Sequence, residues 1–289
     1  MKKRSLDNKE DFSKSRIESV FMSNRDIKIE DFRVLHLSDK MITKIECLTK
    51  FNLKNLTGLD LCGNQIRKIE GLDNLKNLTY LNLSENNIKK IEGLEELTEL
   101  KELHLEGNEI KRIEGLENLK NLRTLICGDA YHYMYGNEIE VIENLDNLTK
   151  LEHLNLSMNK ITEITGLESL TSLEWLELMC NRISEIKGLG KNRCLSEIDL
   201  SCNKIRVIKG LKELRPLEDL KLVGNPIESI ESFDEIKNIS NLTINPLKIP
   251  EKLNLLVKQH YSYWGGDLFV LRRDLETRNG ITYNPERKW

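Results

Sequence analysis

Along most of this chain the apolar positions follow neither the spacing of a helix nor a simple alternation. They recur in a longer cycle. The stretch LTGLDLCGNQIRKIEGLDNL is followed by LTYLNLSENNIKKIEGLEEL and LKELHLEGNEIKRIEGLENL, with leucines, isoleucines and one asparagine in the same places each time. The asparagines Asn64, Asn86 and Asn108 are evenly spaced (86 − 64 = 22 and 108 − 86 = 22), and Asn137, Asn159, Asn181, Asn203 and Asn225 keep the same interval among themselves. Only the step from Asn108 to Asn137 differs: 137 − 108 = 29, and 29 − 22 leaves an insertion of seven. Degenerate units flank the series, FRVLHLSDKMI with Lys40 in the asparagine place and ISNLTINPL with Leu247 there, which makes ten repeats.

Each cycle predicts one short strand and one return segment. In the L-x-L of Leu59-Asp60-Leu61 both leucines point inward and the residues before and between them point outward, because strand side chains alternate. One unit cannot bury its own leucines, so neighbours must stack into a parallel sheet over a continuous core. The recurring asparagine belongs where the strand turns, bonding backbone groups that the turn leaves without partners. The I-x-x-I-x-G-L half, as in Ile66, Ile69, Gly71 and Leu72, carries the chain back along the outer side. The predicted fold class is an α/β solenoid with about ten short parallel strands on its concave face.

The 22-residue form L-x-x-L-x-x-L-x-L-x-x-N-x-I-x-x-I-x-G-L resembles the leucine-rich repeat subclass typified by the nuclear regulatory subunit of protein phosphatase 1, and it is similar to the repeats of bacterial internalins. The resemblance covers about residues 33–247 and implies a leucine-rich repeat horseshoe. It further implies a role in protein binding, of which a phosphatase regulator is the sharpest version. Asn225-Pro226-Ile227 begins like the cap of the phosphatase subunit, but here another degenerate repeat follows.

Both ends of a solenoid need covers, since they expose core and strand edge. Residues 1–32 are expected to form an N-terminal cap, in which Ser15-Arg16-Ile17-Glu18 reads as a capping box and Ile17, Val20 and Phe21 share a helical face. Residues 248–289 are expected to supply the second cap: Pro250 suits a first helical position, and Leu253, Leu256, Val257, Tyr261 and Trp264 line one face. Gly265-Gly266 ends that helix, and the tail beyond is either a packed extension or a loose arm.

A solenoid offers its concave sheet as the preferred binding surface. The repeat register places Trp175 and Glu177, Glu197 and Asp199, then Asp219 and Lys221 outward on three neighbouring strands. Like charges facing one another across a sheet are destabilising, so four carboxylates beside an exposed Trp are either a merely solvated acidic face or a patch kept for a basic protein partner. Glu102, His104 and Glu106, with Tyr80 one strand earlier, form a second acidic cluster. The insertion, within CGDAYHYMYGNEIEVI, carries Tyr131, Tyr133 and Tyr135 and spans about residues 130–136. These tyrosines either overhang the concave face as contacts for a partner or fold onto the protein's own flank.

Composition narrows the partners. Lys plus Arg (44) nearly balance Asp plus Glu (47), so nucleic acid and anionic membranes are not expected partners. No segment approaches the roughly 20 apolar residues of a membrane span, and MKKRSLDNKEDFSKSR is charged where a signal peptide is apolar; a cytoplasmic (or, in a eukaryote, nuclear) monomer is expected. The six cysteines show neither CxxC nor zinc-ligand spacing with His, so free thiols and no metal or other cofactor are expected. Cys62, Asp60 and His36 contain the residue types of a nucleophile, orienter and base, but an open sheet lacks an evident oxyanion hole. The expected function is therefore a non-catalytic scaffold or regulatory subunit, the alternatives being a structural assembly element or an enzyme using that Cys/His site. A basic ladder, Arg67-Lys68, Lys89-Lys90 and Lys111-Arg112, is interleaved with Glu70, Glu92 and Glu114 and reads as a solvated face.

Overall fold

A computed structural model describes residue 19 and residues 29–129, 136–231, 235–236, 238–244 and 269–272. The repeats coil into a solenoid with one eleven-stranded sheet. Its strands are β1 (Val34–His36), β2 (Gly58–Asp60), β3 (Tyr80–Asn82), β4 (Glu102–His104), β5 (Thr124–Ile126), β6 (His153–Asn155), β7 (Trp175–Glu177), β8 (Glu197–Asp199), β10 (Asp219–Lys221), β12 (Asn241–Ile244) and β13 (Phe269–Arg272). The first ten are parallel and stack in chain order, as the repeat predicts. A second, two-stranded sheet pairs β9 (Val207–Ile208) with β11 (Ser229–Ile230) on the return side.

The register is the repeat period made physical. Leu59, Leu81, Leu103, Leu125, Leu154, Leu176 and Ile198 are successive partners across the ladder, and all are buried. With the second strand leucines, the isoleucine pairs and the return-side leucines they make one core running the length of the stack. Burying each such side chain contributes about 1.5–3 kcal/mol, and only stacking delivers it, because a coil has no second layer of its own.

The asparagines bond backbone groups at the strand turn, as the sequence suggests, and the structure adds that these bonds bridge coils. Asn86 is 6 % exposed: its Oδ1 accepts from the Ile66 N–H of the preceding coil at 2.9 Å, and its Nδ2 donates to the carbonyls of Leu61, Leu83 and Ser84. On the return side Gly93 has φ 68°, and a Cβ there would stand 2.5 Å from the Ile69 carbonyl oxygen. One repeat carries Asn144 in that glycine's place, at φ 60°, and its Nδ2 donates to the Ile113 carbonyl at 2.7 Å. Asn tolerates the left-handed region better than other side chains, and here it also contributes a bond of its own.

The insertion leaves the ladder intact. Asn137 still accepts from the Ile110 N–H at 3.0 Å and donates to the Leu105 and Cys127 carbonyls, each at 2.9 Å. Its roots press on the next coil: a Cβ on Gly128 would fall 1.8 Å from the Ser157 oxygen, and one on Gly136 would fall 1.6 Å from the Met158 oxygen. Glycine is what that approach demands.

At the far end β13 lies antiparallel on β12, with Asn241 opposite Arg272 and Ile244 opposite Phe269. These four residues of the tail pair with the sheet edge, and the rest of the tail lies outside the described residues. The expected cap helices, with Ile17, Val20 and Phe21 at one end and Leu253 to Trp264 at the other, lie outside the described residues, as does Leu247. Among the described residues no helix is long and apolar enough to cross a membrane.

Candidate functional site

Two columns of side chains run along the open face of the sheet, one from the residue before each central leucine and one from the residue after it. In the C-terminal half these are His153, Trp175, Glu197 and Asp219 in the first column, and Asn155, Glu177, Asp199 and Lys221 in the second. Every residue that the repeat register sends to this face in the C-terminal half is there, and Trp175 is 39 % exposed.

The cluster is organised around Glu177. His153 Nε2 lies 2.8 Å from Glu177 Oε1, and Asn155 Nδ2 donates to Oε2 at 3.1 Å, so both carboxylate oxygens are held from the strand before. The His153 ring also meets Trp175 edge-on, with centroids 6.1 Å apart at 79°, which orients the indole. Asp199 Oδ1 accepts the Ser201 N–H at 2.8 Å. Burial pushes the Asp219 carboxyl above its ordinary range; Lys221 opposes this, while Glu197 and Asp199 add to it. Glu197 and Asp199 thus add to the cost of ionising Asp219, a field that an approaching cation relieves. His153, Trp175, Glu177, Glu197, Asp199, Asp219 and Lys221, together with Met179, Ser201, Cys202 and Val223, line a hollow of about 640 Å³.

Tyr80, Glu102 and His104 form a separate cluster. Tyr80 and His104 rings are 5.5 Å apart, and His104 lies 2.7 Å from Glu102 and 3.7 Å from Glu106. Burial works against a charge on His104, but Glu106 and Glu102 outweigh it and raise its pKa. The uncharged Thr124 and Ile126 of β5 stand between this group and the His153–Trp175 pair, so the sheet does not merge the two clusters. Tyr131, Tyr133 and Tyr135 lie outside the described residues. The roots of their segment reach Ser157 and Met158, directly after β6.

Other candidate chemistry looks different in place. His36 Nδ1 is 3.6 Å from Asp60 Oδ2, but burial pushes the Cys62 thiol up, with Glu85, Asp60 and Asp39 adding to it, the reverse of what activates a nucleophile. Within the basic ladder Lys68 pairs with Glu70 at 2.9 Å, Lys89 with Glu109 at 3.4 Å and Arg112 with Glu143 at 2.9 Å. Sequence reasoning missed His153 and Asn155, the two groups that hold Glu177. Their signal was available, since 175 − 22 and 177 − 22 give 153 and 155.

Comparison with known proteins gives the same architecture. A model of paired leucine-rich repeats matches residues 54–96, 76–117 and 133–169, and a single leucine-rich repeat model matches 191–206. The crystal structure of internalin C2 from Listeria monocytogenes is similar at 31 % identity and a TM-score of 0.60, over 67 % of this chain and 82 % of that one. An internalin, inlF, of the same organism is 24 % identical with a TM-score of 0.58 over 83 % of each chain. The TLR13–ssRNA13 complex superposes with a TM-score of 0.60 at 24 % identity, over 74 % of this chain and 35 % of the other, a likeness of fold. No curated protein sequence matches the chain.

Proposed function

The chain belongs to the leucine-rich repeat family, and from that premise we propose that it is a non-catalytic binding subunit whose concave face takes a protein partner with a basic surface. The internalin-like fold supports an interaction scaffold in general. The acidic hollow around Trp175 supports the choice of partner. Glu177, Glu197, Asp199 and Asp219 come from three adjacent strands; Glu177 and Asp199 are bonded within the sheet, but the like charges of the group oppose one another. Their proximity lowers the stability of the free sheet and rewards a bound cation. The aromatic anchor beside them is the layout of an interface hot spot, with Trp175 oriented by His153 before a partner arrives. A monomer in the cytosol, acting on a protein and not on nucleic acid, is part of the same proposal; regulation of a phosphatase is its narrowest form, carried by the repeat consensus alone.

The test begins with capture of a partner from native lysate by wild type and by a Trp175→Ala, Glu177→Ala double variant. With that partner purified, Trp175→Ala should cost about 2 kcal/mol of binding or more, roughly thirtyfold in Kd. Glu197→Gln with Asp219→Asn should act mainly on the association rate and its salt dependence. Equal affinities for wild type and Trp175→Ala, with no salt effect on either, would move the binding surface elsewhere.

A further inference from the structure

Equivalent positions of successive coils are neighbours in space, and one column of them holds two adjacent thiols. Cys180 and Cys202 stand one repeat period apart (202 − 180 = 22), follow β7 and β8 respectively, and share a left-handed backbone at φ 54° and 55°. Their Cα–Cβ bonds therefore leave the two coils in the same direction. The backbone registers them, since the Cys180 N–H donates to the Ser201 carbonyl at 2.8 Å and the Cys202 N–H to the Val223 carbonyl at 2.6 Å. Adjacent strands lie about 4.8 Å apart, inside the roughly 4.4–6.8 Å between Cα atoms that a disulfide spans. Cys202 is exposed and lines the hollow; Cys180 is half-buried. The Cys202 Sγ stands 3.0 Å from where a Gly224 Cβ would be, so the bare glycine leaves this sulfur free to turn about χ1 toward Cys180.

We propose that Cys180 and Cys202 are a thiol–disulfide exchange site that takes small thiol disulfides as oxidant and closes to a bond between the two coils. In the first step the Cys202 thiolate attacks one sulfur of the small disulfide. A Cys202–small-thiol bond forms, the small molecule's S–S bond breaks, and its other half leaves as a thiolate that takes up a proton. In the second step Cys180 gives its proton to water and attacks the Cys202 sulfur. The Cys180–Cys202 bond forms as the second small thiol leaves. Two protein thiols are oxidised and one small disulfide is reduced to two thiols.

The order of attack follows from the surroundings. Exposure presents Cys202 first. Burial pushes the Cys180 thiol up to about 11, and the charge and hydrogen bond of Cys202 add to that. Once Cys202 is in a neutral mixed disulfide, both of its contributions disappear and the resolving thiol ionises more readily. The remaining described thiols are placed otherwise: Cys127 is fully buried, Cys62 is half-buried among carboxylates, and Cys194 is exposed at the opposite end of β8. The closed bond would tie together the coils that carry Trp175, Glu177, Glu197 and Asp199, at the rim of the hollow.

The experiment treats the full chain with oxidised glutathione and follows thiol count and peptide masses; it needs no binding partner. Wild type should yield a Cys180–Cys202 linked peptide free of glutathione, the exposed Cys194 being scored separately by its own peptide mass. Cys180→Ser should stop at glutathione on Cys202, and Cys202→Ser should leave Cys180 unmodified, both with the melting temperature of wild type. A wild-type chain that keeps glutathione on Cys202, that reacts first at Cys180, or that pairs Cys202 with Cys194 or with a second molecule would overturn the proposal. Should either serine variant fail to fold, the wild-type peptide map alone decides it.

Discussion

Replacing Asn181 by Ala removes four hydrogen bonds but orphans only one backbone group. The Ile161 N–H donates to Asn181 Oδ1 at 2.9 Å and loses that partner. The carbonyls fare better. Leu156 O also accepts from Asn159, Leu178 O from Asn203 at 2.9 Å, and Met179 O from the Met158 N–H at 2.8 Å. A single buried, unsatisfied donor costs about 1–3 kcal/mol, and Asn203→Ala should cost the same for the Ile183 N–H that it strands. The double variant is different in kind. Leu178 O then loses both of its amide donors, so the two changes should cost more together than their sum, by roughly 0.5–3 kcal/mol. Asn86→Ala with Asn181→Ala, four coils apart and sharing no acceptor, should be additive to within about 0.5 kcal/mol. Urea midpoints at constant m for the six proteins check this. An additive Asn181/Asn203 pair would show that each asparagine acts only within its own coil, and the account of a shared ladder would fail.

Three further outcomes follow from the same geometry. His104 has a raised folded pKa against an ordinary value of 6.5, so its ion pairs with Glu106 and Glu102 stabilise fully below 6.5 and fade as pH rises through the folded value. Urea midpoints for wild type and His104→Gln should therefore converge as pH rises above 6.5, and a pH-independent gap would contradict the assignment. Deleting residues 130–136 joins Asp129 to Asn137 and restores the regular repeat spacing, with Asp129 in a left-handed place that Asp accepts; the melting temperature should change little, and an unfolded product would mean that the tyrosines belong to the core flank. Gly128→Ala sets a methyl carbon 1.8 Å from the Ser157 oxygen and should destabilise by roughly 1–3 kcal/mol, which thermal melts would register.

The repeat made most of this fold readable before any coordinates. A single fixed period names each strand, its inward leucines and its outward side chains, because every coil must repeat its neighbour's backbone to share a sheet with it. Trp175, Glu177, Glu197, Asp199 and Asp219 could therefore be placed on one face by counting. What counting missed has local causes. Phe269–Arg272 belongs to no repeat, and a short apolar run carries no sign that it will pair antiparallel. Side-chain bonds cross strands at angles that period alone does not give, so the hold of His153 and Asn155 on Glu177 emerged only in space. Cys180 and Cys202 stand one period apart in plain view, but attention to asparagine spacing passed over them.

The antiparallel β13 gives the stack a direction of growth. Ten coils each present the next with a strand running the same way, so the addition of one more coil is always the same geometric act. A strand that runs the opposite way cannot receive a coil of that kind. Beyond β12 the stack therefore gains no further coil of the same kind, and a whole repeat gained or lost within it shifts every later outward residue relative to the earlier ones by one rung. The distance between the Tyr80–His104 cluster and the Trp175 hollow is thus set in steps of one coil by the number of repeats between them.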